Sequence, residues 1–299
     1  MSIEMKIATV IVTYNRLELL KECIGSIRKQ TYNVNEIIVI NNSSSDGTLE
    51  WLTEQNDLTT ITQENLGGAG GFYTGIKYAY ENGYEWIWCM DDDVVCNWNA
   101  LERLIECGTN KSFAKIGFIY PRVVWKDNSI HKMNEPGYFH NRNYWNPIAI
   151  EKLKCGITNI DTASFTGVLF SWGAIKEAGL PDIRLFIYFD DLEYTSRMRN
   201  FLNIYVADSI VLHKTERNVG NDLVEPLLRV NKKNFFNIRN FFFFYSRKNK
   251  LYAAYYFIRS SWILIIKFGF NKYYFAFIKL FITAIICGVF GILNNQKFK

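Results

Sequence analysis

The sequence predicts an α/β fold, a mostly parallel central sheet flanked by helices, followed by a basic, aromatic-rich helical region. Three observations predict it. Lys6-Ile-Ala-Thr-Val-Ile-Val-Thr-Tyr14 is a nearly continuous apolar, β-branched run, the pattern of a strand covered on both faces. Leu17, Leu20, Ile24 and Ile27 then recur at helical spacing before a second apolar run, Glu36-Ile-Ile-Val-Ile-Asn41, so strand, helix and strand follow with short links, as in a βαβ unit. Charge is also divided: residues 1–225 hold 21 Lys and Arg against all 29 Asp and Glu, whereas residues 226–299 hold 13 Lys and Arg and no acid. The modest net charge of +5 therefore conceals two regions of opposite sign, 1–225 and 226–299.

The remaining elements follow in order. A helix is expected from Gly47 to Thr53, a short strand near Thr59 to Thr62 and a helix from Phe72 to Asn82. The apolar run Tyr84 to Met90 then ends in Asp91, Asp92 and Asp93. Trp98 to Cys107 reads as a helix and Ile116 to Tyr120 as a strand. The polar, aromatic stretch from Lys126 to Pro147 is long for a structureless loop, and such loops more often serve as lids. Phe165 to Trp172 reads as a strand, Ala174 to Ala178 as a helix stopped by Gly179 and Pro181, Asp190 to Phe201 as a helix with acids in its first turn, and Ile204 to His213 as a strand. The six cysteines form no C-x-x-C pair and read as small buried hydrophobes in a reducing compartment. Met1 to Lys6 runs directly into a strand without the apolar core of a signal peptide, so a cytoplasmic location is expected.

Three adjacent carboxylates at a strand mouth repel one another unless a cation holds them, and such oxygen ligands suit Mg²⁺ or Mn²⁺ on a phosphate-bearing substrate. Alone, the triplet equally fits an acidic strand-end turn. In α/β sheets ligands collect at the carboxyl ends of strands, where Thr13-Tyr14-Asn15, Asn41-Asn42 and Asp91 to Asp93 all fall. Asn65-Leu-Gly-Gly-Ala-Gly-Gly71 precedes a helix, and its glycines permit close backbone approach to phosphate oxygens, though a tight turn explains them as well. Asp190 and Asp191 open a helix, suiting either an ordinary cap or a general base. His213 closes a strand, where it is either a surface residue or a third metal ligand; His131 and His140 have weaker claims. The acid-free region holds 21 aromatic residues, too apolar for a nucleic-acid partner, and reads as a basic amphipathic surface on anionic lipid. Tyr273 to Leu293 is long enough to span a bilayer, but Lys279, Thr283, Gly288 and Gly291 argue for lying in the interface.

Taken together, Thr9-Val-Ile-Val-Thr-Tyr-Asn15, Asn41-Asn-Ser-Ser-Ser-Asp-Gly-Thr48, Asn65 to Gly71, Met90-Asp-Asp-Asp93 and Phe189-Asp-Asp191 resemble family 2 inverting glycosyltransferases, most closely the galactofuranosyl- and rhamnosyltransferase branch. The resemblance runs from Lys6 to about Arg217 and continues weakly through Asn237-Ile-Arg-Asn240. It implies a Rossmann-like GT-A fold binding a UDP- or dTDP-linked sugar. Thr13, Asn15 and Asn41 would hold base and ribose, with Asp46 shaping that pocket. Asn65, Gly67, Gly70 and Gly71 would line diphosphate and sugar, Asp91, Asp93 and His213 would hold Mn²⁺ or Mg²⁺, and Asp92 would face nucleotide or sugar. Asp191 would be the general base and Asp190 a binder of hydroxyls. The implied acceptor is a lipid-linked oligosaccharide at the cytoplasmic membrane face. Many relatives carry Asp where Asn41 stands, which leaves the nucleobase open, and the large extra domains of galactofuran polymerases are missing, so addition of one or a few sugars is expected. A sugar nucleotidyltransferase or an inactive membrane-bound glycan-binding scaffold are the competing expectations; the first lacks basic residues at the first strand's loop, where Arg16 stands alone.

Overall fold

The computed structural model describes residues 5–108, 115–140, 144–149, 152, 154, 156–220, 232–268 and 272–293. Strands β1 (Ile7–Thr13), β2 (Glu36–Asn41), β3 (Leu58–Thr62) and β4 (Trp86–Asp91) are parallel and lie in the order β3, β2, β1, β4. All seven residues of β1 are buried, as expected of a strand sandwiched between helical layers. Beyond β4 the sheet changes character. Short β5 (Val94–Cys96) forms the far edge, and antiparallel β10 (Val168–Ser171) is inserted between β4 and β6 (Ile116–Val124). Strand β11 (Leu202–His213) runs parallel to β6 and pairs antiparallel with β5 and with β9 (Ile157–Asn159).

Helices α1 (Leu17–Ile27), α2 (Thr48–Thr53), α3 (Gly67–Glu81), α4 (Ala100–Gly108), α5 (Trp172–Ala178) and α6 (Asp190–Arg197) complete this part. Helix α3 starts at Gly67, more than a turn before the expected Phe72. The reason is packing: a Cβ at Gly71 would overlap Val12 and one at Gly75 would overlap Val10, so these glycines let the helix lie close on β1. The stretch expected as a lid is structured instead. It holds a 3₁₀ turn (Lys132–Asn134) and a hairpin of β7 (Gly137–His140) and β8 (Tyr144–Pro147). Its polar residues masked these short elements in the sequence, as three-residue edge strands masked β5 and β9.

The basic region folds into α7 (Lys232–Lys248), α8 (Lys250–Phe268) and α9 (Lys272–Phe290). Helix α7 is docked on the preceding part: Phe236 packs against Phe186 with ring centres 4.9 Å apart, Phe241 meets Phe189 at 5.9 Å, and Phe244 meets Phe139 at 6.2 Å. No helix among the described residues is long and apolar enough to cross a membrane. Side chains of residues 271–277 lie outside the described set, as does Cys155; the other five cysteines are free and buried.

Candidate active site

The end of β1 lies beside the end of β4, Val12 opposite Asp91, so the loop after β1 meets the acid triplet. Asp92 is buried and faces that loop: its carboxylate accepts from Thr13 Oγ1 (2.8 Å), from the Tyr14 amide (3.4 Å) and from Arg16 (3.1 Å). The same Arg16 nitrogen donates to Asp93 (2.9 Å), whose other oxygen lies 3.1 Å from His213 Nε2. His213 is buried, and its Nδ1 is 2.8 Å from Asn134 Oδ1. Asn134 is in turn held by Ser164 (2.8 Å) and Thr166 (2.9 Å), and Thr166 also reaches Asp91 at 3.5 Å. His131 packs against His213, the rings tilted by 32° with centres 4.6 Å apart.

Burial lifts the Asp91 carboxyl to about 7, with Asp93 adding repulsion. Burial likewise lifts Asp92 to about 6, against the opposing pull of Arg16. Burial acts on Asp93 too, but His213 and Arg16 outweigh it and hold that carboxyl below its usual range. His213 is lifted in return by Asp93, against its own burial. One donor atom each from Asp91, Asp93 and His213 lies within 4.8 Å of the others, and this mixed carboxylate and imidazole set fits a divalent cation.

A second cluster forms where β1 and β2 end. Asn15, at φ 54°, donates its amide to Ser44 (2.9 Å) and accepts from the Ser45 amide (2.7 Å). Asn41 Oδ1 accepts from the Ser44 amide (3.0 Å), and its Nδ2 is buried with no protein partner. Asp46 accepts from the Leu17 amide (3.0 Å) and Thr48 Oγ1 (2.5 Å), so it ties the start of α1 to α2. Asn65 Oδ1 caps the Gly67 amide (2.9 Å), and Asn42 Nδ2 bonds the Gly67 carbonyl (3.1 Å), fixing the glycine turn to β2. Gly70 packs on Leu66 and Gly71 on Val12, so these two glycines have a packing role whatever else they do.

Asp190 and Asp191 open α6 on a strained turn in which Phe186, Tyr188 and Phe189 take φ of 66°, 67° and 63°. A Cβ at Gly68 would lie 3.8 Å from Asp190 Oδ2, so α3 starts against this acid. Burial lifts Asp190 well above the usual range, with Asp191 next in effect, and lifts Asp191 to about 6 against the Leu192 amide it accepts at 2.7 Å. Asp191 lines a cavity of about 380 Å³ walled by Phe241, Tyr245, Tyr252 and Tyr256 from α7 and α8 and by Thr162 and Ser164 opposite. The expected residues thus gather at the carboxyl ends of β1, β2, β4 and β11 and the start of α6. Sequence reasoning missed the central place of Arg16, the Asn134 and Thr166 support, and the contribution of α7 and α8. Arg16, three residues beyond Thr13, was the one visible signal.

The profile described as Glycosyl transferase family 2 matches residues 9–172, over half of the chain. Galactofuranosyltransferase GlfT1 of Mycolicibacterium smegmatis is 29% identical over 205 residues, covering 64% of this chain and 65% of the relative. GlfT1 of Mycobacterium tuberculosis is 27% identical over 240 residues, covering 73% and 72%. Poly-beta-1,6-N-acetyl-D-glucosamine synthase of Staphylococcus aureus is 29% identical over 182 residues, covering 59% and 42%. Among solved structures, GalNAc-T7 with UDP, GalNAc and Mn²⁺ superposes with a TM-score of 0.56 at 14% identity, covering 72% of this chain and 45% of that one, a likeness of fold. With the family profile matching residues 9–172, which include the parallel strands and the acid triplet, this protein belongs to glycosyl transferase family 2.

Proposed function

We propose that the chain transfers one sugar, galactofuranose or rhamnose, from a UDP- or dTDP-linked donor to a hydroxyl of a lipid-linked glycan, in bacterial surface polysaccharide synthesis. The observation that carries the reading is the cluster of Asp91, Asp93 and His213 with the Asp190–Asp191 pair near enough for Asp91 to act on Asp190, Asp191 bordering an aromatic cavity. Similarity to galactofuranosyltransferases supports the donor class.

In this mechanism Asp191 takes the proton of the acceptor hydroxyl as its oxygen attacks the anomeric carbon. The bond from that carbon to the diphosphate oxygen breaks, and the single displacement inverts the configuration. Mn²⁺ or Mg²⁺ held by Asp91, Asp93 and His213 would neutralise charge on the departing nucleoside diphosphate. Thr13, Asn15, Asn41 and the Asp46 loop border the nucleoside side, where exposed Asn15 is the residue open to a ligand and fully buried Asn41 braces the loop through Ser44. Asn65, Gly67, Gly70 and Gly71 border the diphosphate side at the start of α3, and Asp92 orders the loop between. Asp190 binds donor or acceptor hydroxyls. The acceptor sugar enters the cavity beside Asp191, whose aromatic rings suit the apolar C–H faces of a sugar and whose Lys132, Glu135, Thr162 and Ser164 suit its hydroxyls.

The same reading places the protein on the cytoplasmic face of an anionic membrane. Leu251, Tyr255, Ile258, Trp262 and Ile266 are exposed at helical spacing along α8, and Ile282, Ile286 and Val289 along α9. Apolar stripes on helices without a single acid suit lying in a lipid interface. Incubating the protein with a panel of nucleotide-sugars, a lipid-linked acceptor and Mn²⁺ tests the function: acceptor-dependent nucleoside diphosphate release is expected, and none with any donor refutes it.

A further inference from the structure

The turn that presents Asp190 and Asp191 is held from outside by one pair of residues on α7. Arg239 is fully buried and donates from one terminal nitrogen to the carbonyls of Arg184 and Leu185, each at 3.0 Å. Asn240, also fully buried, directs its Nδ2 to the carbonyls of Leu185 (2.9 Å), Ile187 (2.9 Å) and Tyr188 (2.8 Å). The orientation of that amide is fixed, because Arg239 Nε donates to Asn240 Oδ1 at 2.8 Å and so turns the NH₂ towards the turn. The fifth carbonyl, that of Phe186, is taken by the Ala69 amide of α3 at 3.1 Å. Five successive carbonyls, 184 to 188, therefore point outward to two helices.

This arrangement explains how bulky residues stay in an unfavourable conformation. Phe186, Tyr188 and Phe189 all have positive φ, which an L residue with a large side chain adopts only when its surroundings enforce it. A turn freed of these donors would relax, and Asp190, the next residue, would move with it.

We propose that Arg239 and Asn240 are positioning residues for transfer, which hold the 184–188 turn so that the Asp191 carboxylate meets the acceptor hydroxyl. The inference rests on Asp191 acting as the base in the proposed transfer. It makes α7 part of the catalytic machinery, although it lies in the basic region beyond residue 225 and touches neither the cation cluster nor the nucleoside pocket.

The test is Asn240→Asp, which keeps the shape but sets carboxylate oxygens against three carbonyls, with Arg239→Lys as the second variant. Donor-side properties, read as binding of UDP and dTDP with Mn²⁺ by calorimetry, should match wild type. kcat for transfer should fall by about 10²-fold, the size expected when a reacting group is misplaced by about 1 Å. The acidic limb of the pH–rate profile should move in the residual activity, a change that mere loss of folded protein would not produce. A folded variant with wild-type kcat, or a fall in kcat matched by equal loss of nucleotide binding, overturns the proposal; should Asn240→Asp not fold, Arg239→Lys decides by the same readouts. Wild-type protein that turns over no nucleotide-sugar refutes the proposed function and this inference with it, whereas active wild type with unaltered variants refutes this inference alone.

Discussion

Replacing Asp91 by Asn should stabilise the metal-free protein while removing its response to metal. Asp91 sits at the mouth of the crevice with its carboxyl lifted from 3.8 to about 7. Holding it ionised in the metal-free fold therefore costs about 4 kcal/mol. Its partial contact with water screens some of that, so about 2–4 kcal/mol is expected. Because the folded-state value is the higher one, the stability from a protonated Asp91 is full below the unfolded value of 3.8 and is lost as pH rises through about 7. Asn mimics the protonated acid at every pH. In EDTA the variant should match wild type only below about pH 3.8, gain on it steadily between there and about 7, and exceed it in Tm by roughly 5–10 °C near about pH 8. Adding Mn²⁺ at about 100 times its Kd should raise wild-type stability by about 2.7 kcal/mol and the variant's far less. Differential scanning fluorimetry over pH, with and without metal, reads both effects. A variant less stable than wild type at high pH in EDTA, or a difference that does not change with pH, would refute the argument that burial and Asp93 strain this carboxylate.

Other perturbations separate the parts of the site. Asp191→Asn should leave nucleotide binding intact and lower kcat by about 10²–10⁴-fold; with Asp191 lifted to about 6, wild-type kcat should climb through that pH to a plateau above it, and a flat profile would count against Asp191 as base. Gly71→Ala, whose new Cβ would overlap Val12, should cost about 1–3 kcal/mol in urea unfolding, whereas Gly25→Ala, with nothing nearby in α1, should stabilise by about 0.5–1 kcal/mol. Tyr256→Ala should raise the acceptor KM and leave hydrolysis of the donor by water unchanged, and an equal effect on both would remove the cavity from the acceptor's path. Trp262→Glu together with Ile266→Glu should weaken co-sedimentation with anionic vesicles; unchanged pelleting would reject the α8 stripe as a lipid surface.

The parts legible in the sequence are those whose reasons are local. Strand β1 announces itself because both its faces are buried, and the polar residues at the ends of β1, β2 and β4 are legible because parallel strands end on one side. What stayed hidden depends on distant partners. Nothing in Val168 to Ser171 tells that it runs antiparallel between β4 and β6, since either direction buries the same side chains. Residues 67 to 71 read as a loop because the packing of Gly70 on Leu66 and Gly71 on Val12 is invisible in one dimension, yet they form the first turns of α3. Arg239 sits among Lys and aromatic residues that suggest a surface, while its actual partners lie more than fifty residues earlier. The first helix of the basic region is bonded to the turn just before the acid pair, a link that no local pattern announces.

Arg16 gives the acid triplet a resident counter-charge, shared between Asp92 and Asp93. A newly made chain can therefore close the sheet around its carboxylates with a cation already in place, the remaining burial penalty falling on Asp91 and, less heavily, on Asp92. A divalent ion taken up by Asp91, Asp93 and His213 would then enter a finished protein as a working part, unlike a zinc finger, where the ion is the scaffold on which the chain condenses. On the proposed function such a protein would wait, folded, through periods of divalent scarcity and resume when the ion returned.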